Sequence, residues 1–200
     1  MTELPDLIAG ARAVRDTATA AVGFASEVFR SDGEYFAATL TIDENVAVPA
    51  AEVLHPGAVY DAVVQAGPDD RGQAARKLCI TLPDVYGRGR SQDFLLASSA
   101  DGAPLHHAVL PSDPVARLYS SLWLYLAGLQ PVLFGARPRT TGRDLRFAPG
   151  SELSFMISAP VGQFRRIGTL TLTGPHHGTV RFAGRHSGGG LRPLPPVAFY

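Results

Sequence analysis

The histidines are the residues whose type most directly suggests metal or haem chemistry. They occur as two adjacent pairs, His106-His107 and His176-His177, and His186 follows further along the chain. Adjacent residues of a strand point to opposite faces, whereas two ligands of one metal usually lie two or four residues apart. One histidine of each pair could still bind a metal with His186 or a carboxylate, and one could bind a haem iron. The spacing favours ordinary loop histidines over either site.

Four arginines in one polar segment form a second candidate group: Arg137, Arg139, Arg143 and Arg146. Their guanidinium groups could bind a phosphate or a carboxylate, although the pattern favours a solvated loop. The sequence contains no Gly-x-Ser-x-Gly nucleophile motif, and the glycine run at 188–190 lacks the lysine of a phosphate-binding loop. We therefore assign no catalytic residue and no metal ligand.

The composition is that of a globular protein without a strong electric field. Hydrophobic residues make up 46% and charged residues 18%, which excludes an intrinsically disordered chain. A net charge of +0 gives nothing to attract nucleic acid or an anionic membrane, so we expect neither as a partner. The single cysteine, Cys79, lies in an apolar run, and no basic targeting segment opens the sequence. We expect a cytoplasmic protein.

Hydrophobic periodicity predicts a single α+β domain. Helical spacing predicts an N-terminal helix at 4–29, whose alanine-rich stripe allows a homodimer, and a second helix at 114–129. Period-two alternation between turn residues predicts a mostly antiparallel, barrel-like sheet. Its predicted strands are 34–43, 58–66, 74–82, 91–97, 152–158, 164–173 and 180–183. The barrel would span 34–183, and an extended tail would follow at 184–200.

Two turn-and-strand motifs resemble the catalase family. Asp69-Asp70-Arg71-Gly72 leads into Ala75-Arg76-Lys77, and a strand entered through a polar turn runs from Arg90 to Leu96. Their order and spacing, with Gly33 to Leu40 in the place of a first strand, are similar to the barrel strands of that family. The resemblance implies a catalase-like β-barrel, with the predicted helix at 114–129 inserted between barrel strands, and a haem pocket.

The resemblance also implies where haem would be contacted, and several of those positions have changed. Residues 28–32 contain no histidine where the family has its distal one, and the distal asparagine position falls at Ser98. The position of the propionate-binding arginine holds Val64 or Gln65, and no C-terminal helix follows to supply a proximal tyrosine. The residues implied to contact a cofactor are Arg30, Tyr35, Ser98 and Tyr200. Because peroxide cleavage needs a general base and an anionic axial ligand at the iron, we predict no catalase turnover.

These observations predict a binding function. We expect a shortened catalase-like barrel that binds a hydrophobic small molecule, or haem, without catalase turnover. The alternative is an enzyme, haem-dependent or cofactor-free, that acts on a hydrophobic substrate as a peroxidase or other oxidoreductase, an isomerase or a biosynthetic enzyme. A third interpretation is an unrelated α+β barrel without a cofactor. We expect Arg71 and Asp93 to stabilise the barrel and to take no part in chemistry.

Overall fold

A computed structural model describes residues 32–67, 75–101, 106, 118–139 and 146–194. These parts of the chain contain ten strands and one short 3-10 turn, Glu52–Leu54. The strands are β1 Glu34–Ile42, β2 Val59–Ala66, β3 Lys77–Leu82, β4 Gln92–Ser98, β5 Tyr119–Ser120, β6 Tyr125–Ala127, β7 Gln130–Pro138, β8 Glu152–Ser158, β9 Arg165–Pro175 and β10 Leu191–Pro193.

Eight of these strands form a closed antiparallel barrel. The order around the barrel is β1, β2, β3, β4, β5, β7, β8 and β9, and β9 pairs again with β1. Closure pairs Leu40 of β1 with Leu170 of β9. The two remaining strands extend the sheet from β7 in the order β7, β6, β10. Closure leaves the eight barrel strands without a free edge over most of their length.

Alternation along the strands explains which side chains fill the barrel. In β1 the buried residues recur at every second position, from Phe36 to Ile42, and all belong to one apolar cluster inside the barrel. In β3 and β4 every residue is buried, because both faces of these strands are covered. On their outer face Cys79 and Leu95 pack with Trp123 in a second, smaller cluster.

Aromatic rings occupy the centre of the barrel. Phe94 lies 4.8 Å from Phe134 and 5.3 Å from Phe155, measured between ring centroids. Tyr125 lies 5.2 Å from Phe134. Edge-to-face contacts at these separations are those of a packed core. The residues that could have lined an internal ligand chamber therefore pack against one another.

The α+β prediction is wrong, because the described chain is nearly all β and has no helix beyond the short 3-10 turn. The error is clearest at 114–129, where β5 and β6 replace the described part of the predicted inserted helix. Residues 118–123 are all buried, but Ser120 and Ser121 separate two apolar pairs that recur four residues apart, so the sequence shows helical spacing and no period-two alternation. The backbone turns at Leu122, whose φ of 59° lies in the left-handed region and cannot continue a helix.

The remaining strand predictions agree with the structure at six places and fail at three. The six are β1, β2, β3, β4, β8 and β9, which lie at the predicted positions within a few residues. The sequence pattern missed β7 and β10, and residues 180–183 form no strand. The predicted helix at 4–29 lies outside the described residues. Within those residues, no helix has the length and apolar character needed to cross a membrane.

Candidate functional site

The residues implied to contact haem do not meet in the described structure. Tyr35 lies on the outer face of β1, stacks on Phe182 at 6.4 Å between ring centroids, and accepts a hydrogen bond from Gln65 at 3.0 Å. Ser98 is the last residue of β4 and lies on the same face as the interior residues Phe94 and Leu96. Its hydroxyl accepts a hydrogen bond from the Arg76 amide. Arg30 and Tyr200 lie outside the described residues.

Haem does not fit between these two residues, because they lie on opposite faces of the barrel wall. A haem site needs an open slot for the macrocycle and an axial ligand aimed at the iron. The interior on the Ser98 side is filled by the rings of Phe94, Phe134 and Phe155. We therefore assign no haem-dependent reaction to these residues, and haem binding by this chain stays a prediction.

The histidine and arginine candidates are also separated or already paired. Within the described ranges, no group of three histidine, cysteine, aspartate or glutamate side chains is close enough to hold a metal ion. Arg137 forms an ion pair with Asp101, and Arg139 pairs with Glu152 at 2.7 Å. Arg143 lies outside the described residues. Two of the four arginines of the predicted group, Arg137 and Arg139, are therefore held in ion pairs.

An open groove at one end of the barrel is the candidate binding site. We call this site the mouth groove; its volume is about 470 Å³, within the size range of small-molecule sites. Its lining residues come from the loop before β2, the start of β7, the end of β8, and the loop between β8 and β9. They are Pro49, Gln130, Pro131, Val132, Ile157, Ser158, Ala159, Pro160, Gly162, Gln163 and Arg165.

The floor of the mouth groove is continuous with the barrel interior. Val132 and Ile157 belong to the apolar core cluster, and both are almost fully buried. They are the core residues closest to this end of β7 and β8, where the ring packing stops. These two side chains close the bottom of the groove, and the apolar surface that it offers to a ligand comes from Pro131, Ala159 and Pro160 nearer the opening.

The loop between β8 and β9 forms one wall of the mouth groove and is held by two contacts. The ring of His106 lies within hydrogen-bond distance of the Gly162 carbonyl through Nε2, and it packs edge-on against Phe164 at 4.8 Å. Phe164 in turn covers Gly135 of β7, where a Cβ atom would come within 2.8 Å of the phenyl ring. The glycine thus allows the ring to anchor the loop against the barrel wall.

Arg165 is the single ionisable side chain among the lining residues. It is exposed at the rim, and no described carboxylate forms an ion pair with it. The adjacent Arg166 differs, since its guanidinium donates to Asp43 at 3.1 Å, to Thr169 at 2.9 Å and to the Gly168 carbonyl. The mouth groove therefore combines an apolar floor with one cation that lacks an acidic partner in the described structure.

A second polar cluster serves to dock the C-terminal arm, which we define as residues 183–194. Asp93, fully buried on β4, accepts hydrogen bonds from the Ala183 amide at 2.8 Å and from His186 Nδ1 at 2.9 Å. Its neighbour Gln92 accepts from the hydroxyls of Tyr86 and Ser187 at 2.9 and 3.2 Å. Asp93 thus has the burial and contacts of a residue that holds the fold, and its effect on stability stays a prediction; Arg71 lies outside the described residues.

Burial sets the charge behaviour of this side of the barrel. It raises the pKa of the Asp93 carboxyl, an effect opposed by hydrogen bonds from Thr81, the Ala183 amide and His186. The Asp93 Oδ1 atom has no well-formed hydrogen bond. Thr81 lies opposite Asp93 on β3, and its side chain gives the largest of the effects that oppose the raised pKa. Burial also lowers the pKa of Lys77 and raises that of Cys79 to about 12, so this thiol is not reactive.

No protein-family model matches this sequence, and no curated protein matches it. The resemblance to catalases therefore stays a prediction, and the function has to rest on the geometry of this chain.

Sequence reasoning missed the mouth groove. The run Ala159 to Gln163 contains proline and glycine, which mark a turn, and two arginines follow it at the start of β9. That signal could have indicated a hairpin loop with a basic exit. It could not have indicated the floor, because Val132 lies on a strand that the pattern did not predict.

Proposed function

We propose that this protein is a binding barrel that holds a hydrophobic small molecule in the mouth groove. The observation that carries the proposal is the mouth groove itself, a cavity of about 470 Å³ with a mainly apolar lining that rests on Val132 and Ile157 of the core. Apolar surface of this kind gains free energy when a ligand covers it, by about 25 cal/mol per Å² buried. Barrel mouths are also common positions for ligand sites.

The proposal includes a catalase-like barrel without peroxide chemistry. The position implied for a propionate-binding arginine falls at Val64 or Gln65. Val64 is a fully buried core residue, and Gln65 donates to the hydroxyl of Tyr35 on the outer face. Neither side chain carries the positive charge that a haem propionate requires. These positions support binding without catalase turnover.

Blocking the mouth groove from its rim tests the proposal. The neutral fluorescent probe N-phenyl-1-naphthylamine would be titrated into the wild-type protein and into Ala159→Phe. Ala159 is an exposed lining residue, so a phenyl ring there fills the groove without entering the core. We expect the probe to bind the wild type and to bind Ala159→Phe more weakly, by about tenfold or more.

The matched control is Ala148→Phe, an exposed alanine in the loop between β7 and β8, at the opposite end of the barrel. This variant should bind the probe as the wild type does. Absence of probe binding to the wild type, or equal binding to all three proteins, would reject the mouth groove as the site. Circular dichroism of both variants would confirm that the fold is unchanged.

A further inference from the structure

The rim of the mouth groove carries a charge that the fold does not use. Arg165 is exposed, is the one ionisable lining residue, and has no ion pair within the described parts of the chain. The two other polar side chains at the rim with donor groups are the amides of Gln130 and Gln163, both exposed. The lining thus offers hydrogen-bond donors and one positive charge but no carboxylate.

The neighbouring Arg166, by contrast, has a structural role. Its three hydrogen bonds tie the start of β9 to Asp43 and to Thr169 and Gly168 of its own strand. Because Arg166 already neutralises Asp43, no acidic partner for Arg165 remains among the described residues of this rim. An anionic group of a ligand would supply the missing partner.

Two strongly exposed apolar side chains belong to the turns that supply part of the lining. Leu129, 94% exposed, is adjacent in sequence to the lining residue Gln130. Val161, 82% exposed, lies between the lining residues Pro160 and Gly162. Neither side chain lines the groove, and single exposed apolar residues are common on protein surfaces, so the ligand class rests on the lining and on Arg165.

We propose that the ligand is a free monoanionic amphiphile, an apolar chain with one carboxylate-type head group, bound with its head at Arg165. The inference rests on the binding function proposed above and names the ligand class for that site. The chain lies along the apolar lining of the groove, over Pro131, Ala159 and Pro160. The head group forms a charge-assisted hydrogen bond with the Arg165 guanidinium.

A comparison of decanoate with decanol tests the charge separately from the chain. Each ligand, kept below its micelle-forming concentration, would displace N-phenyl-1-naphthylamine from the wild type, from Arg165→Gln and from Arg88→Gln. Arg88 is an exposed arginine in the hairpin that joins β3 and β4, so it controls for loss of overall charge. We expect the wild type to prefer decanoate by about threefold to fivefold, as for a partly screened ion pair.

Arg165→Gln should lose this preference and bind both ligands as the wild type binds decanol, while Arg88→Gln should keep it. If the wild type shows no preference, or if Arg165→Gln retains it, the anionic ligand class is wrong and the binding function stands. If the probe binds but neither ligand displaces it, the amphiphile class is wrong and the binding function stands; if the probe does not bind, the binding function itself fails. The results therefore distinguish a failure of the ligand class from a failure of the binding function.

Discussion

The dock of the C-terminal arm and the mouth groove treat polar groups in opposite ways. In the dock, Gln92 and Asp93 lie fully buried and accept hydrogen bonds from Tyr86, Ser187, His186 and the Ala183 amide. In the mouth groove, Arg165 is exposed and has no acidic partner among the described residues. In the dock the polar groups form hydrogen bonds within the fold, whereas in the mouth groove they are exposed to solvent.

The difference separates a structural site from the proposed binding site. A buried acceptor with several donors is costly to remove, because each donor left behind loses its partner away from water. An exposed cation without a partner costs little to remove, since water replaces whatever it loses. Mutations should therefore change stability at the dock and ligand binding at the mouth groove.

Asp93→Ala should produce the largest loss of stability. The change leaves the Ala183 amide and His186 Nδ1 without their acceptor, and we expect the free energy of unfolding to fall by about 1–3 kcal/mol. Asp61→Ala, at an exposed aspartate of β2, is the control and should stay within about 0.5 kcal/mol of the wild type. Urea unfolding measures both. An unchanged midpoint in Asp93→Ala would remove the distinction between the two regions.

Asp93→Asn should produce a smaller effect that depends on pH. Burial raises the pKa of Asp93 in the folded state above its ordinary value of 3.8, so the folded protein binds a proton that the unfolded chain releases. Between 3.8 and the raised pKa, wild-type stability should therefore fall as the pH rises. The asparagine variant has no such titration, so its stability should gain on the wild type across this window.

Unfolding of Asp93→Asn and the wild type at a series of acidic pH values measures this difference. The opposite slope, with the wild type gaining on the variant as the pH rises, would mean that hydrogen bonds lower the carboxyl pKa despite its burial. The dock would then stabilise a charged aspartate.

Arg165→Gln should produce the smallest change in stability. Its exposed guanidinium has no ion pair with a described residue, so we expect the free energy of unfolding to change by less than about 0.5 kcal/mol. Arg166→Gln breaks the contact with Asp43 and should cost more, up to about 1 kcal/mol. Thermal melts of the two variants give the comparison. A larger loss in Arg165→Gln would show that this arginine serves the fold.

The strands that the sequence predicted correctly have one of two signals. Either their two faces differ in burial, or a clear turn sequence marks their ends. In β1 the buried side chains alternate with more exposed ones, and β8 and β9 are joined by a loop with proline and glycine. The segment around Tyr119 and Trp123 is buried on both faces, and its apolar side chains recur at helical spacing on either side of Ser120 and Ser121. Its spacing therefore matched a helix by coincidence, and tertiary pairing with β7 decided the outcome.

The candidate site was predictable only in its general kind. A barrel that binds a hydrophobic molecule follows from the apolar strands, but the position of the site depends on which strands end together. Val132 and Arg165 are far apart in sequence and meet because β7 and β9 both begin at the same end of the barrel, next to the end of β8. Local patterns do not contain that information. The haem-contacting positions came from resemblance, and Tyr35 and Ser98 lie on opposite faces.

The closure of the barrel between β1 and β9 also dictates when the protein can fold. During synthesis Glu34–Ile42 leaves the ribosome long before its partner Arg165–Pro175, because β2 to β8 lie between them in the sequence. Until then one edge of the first strand has nothing to pair with, and its apolar residues stay available to other chains. Contacts between such distant segments slow folding, because a long loop must close before any free energy is gained. The barrel of the nascent chain therefore stays open while all the strands between β1 and β9 are made.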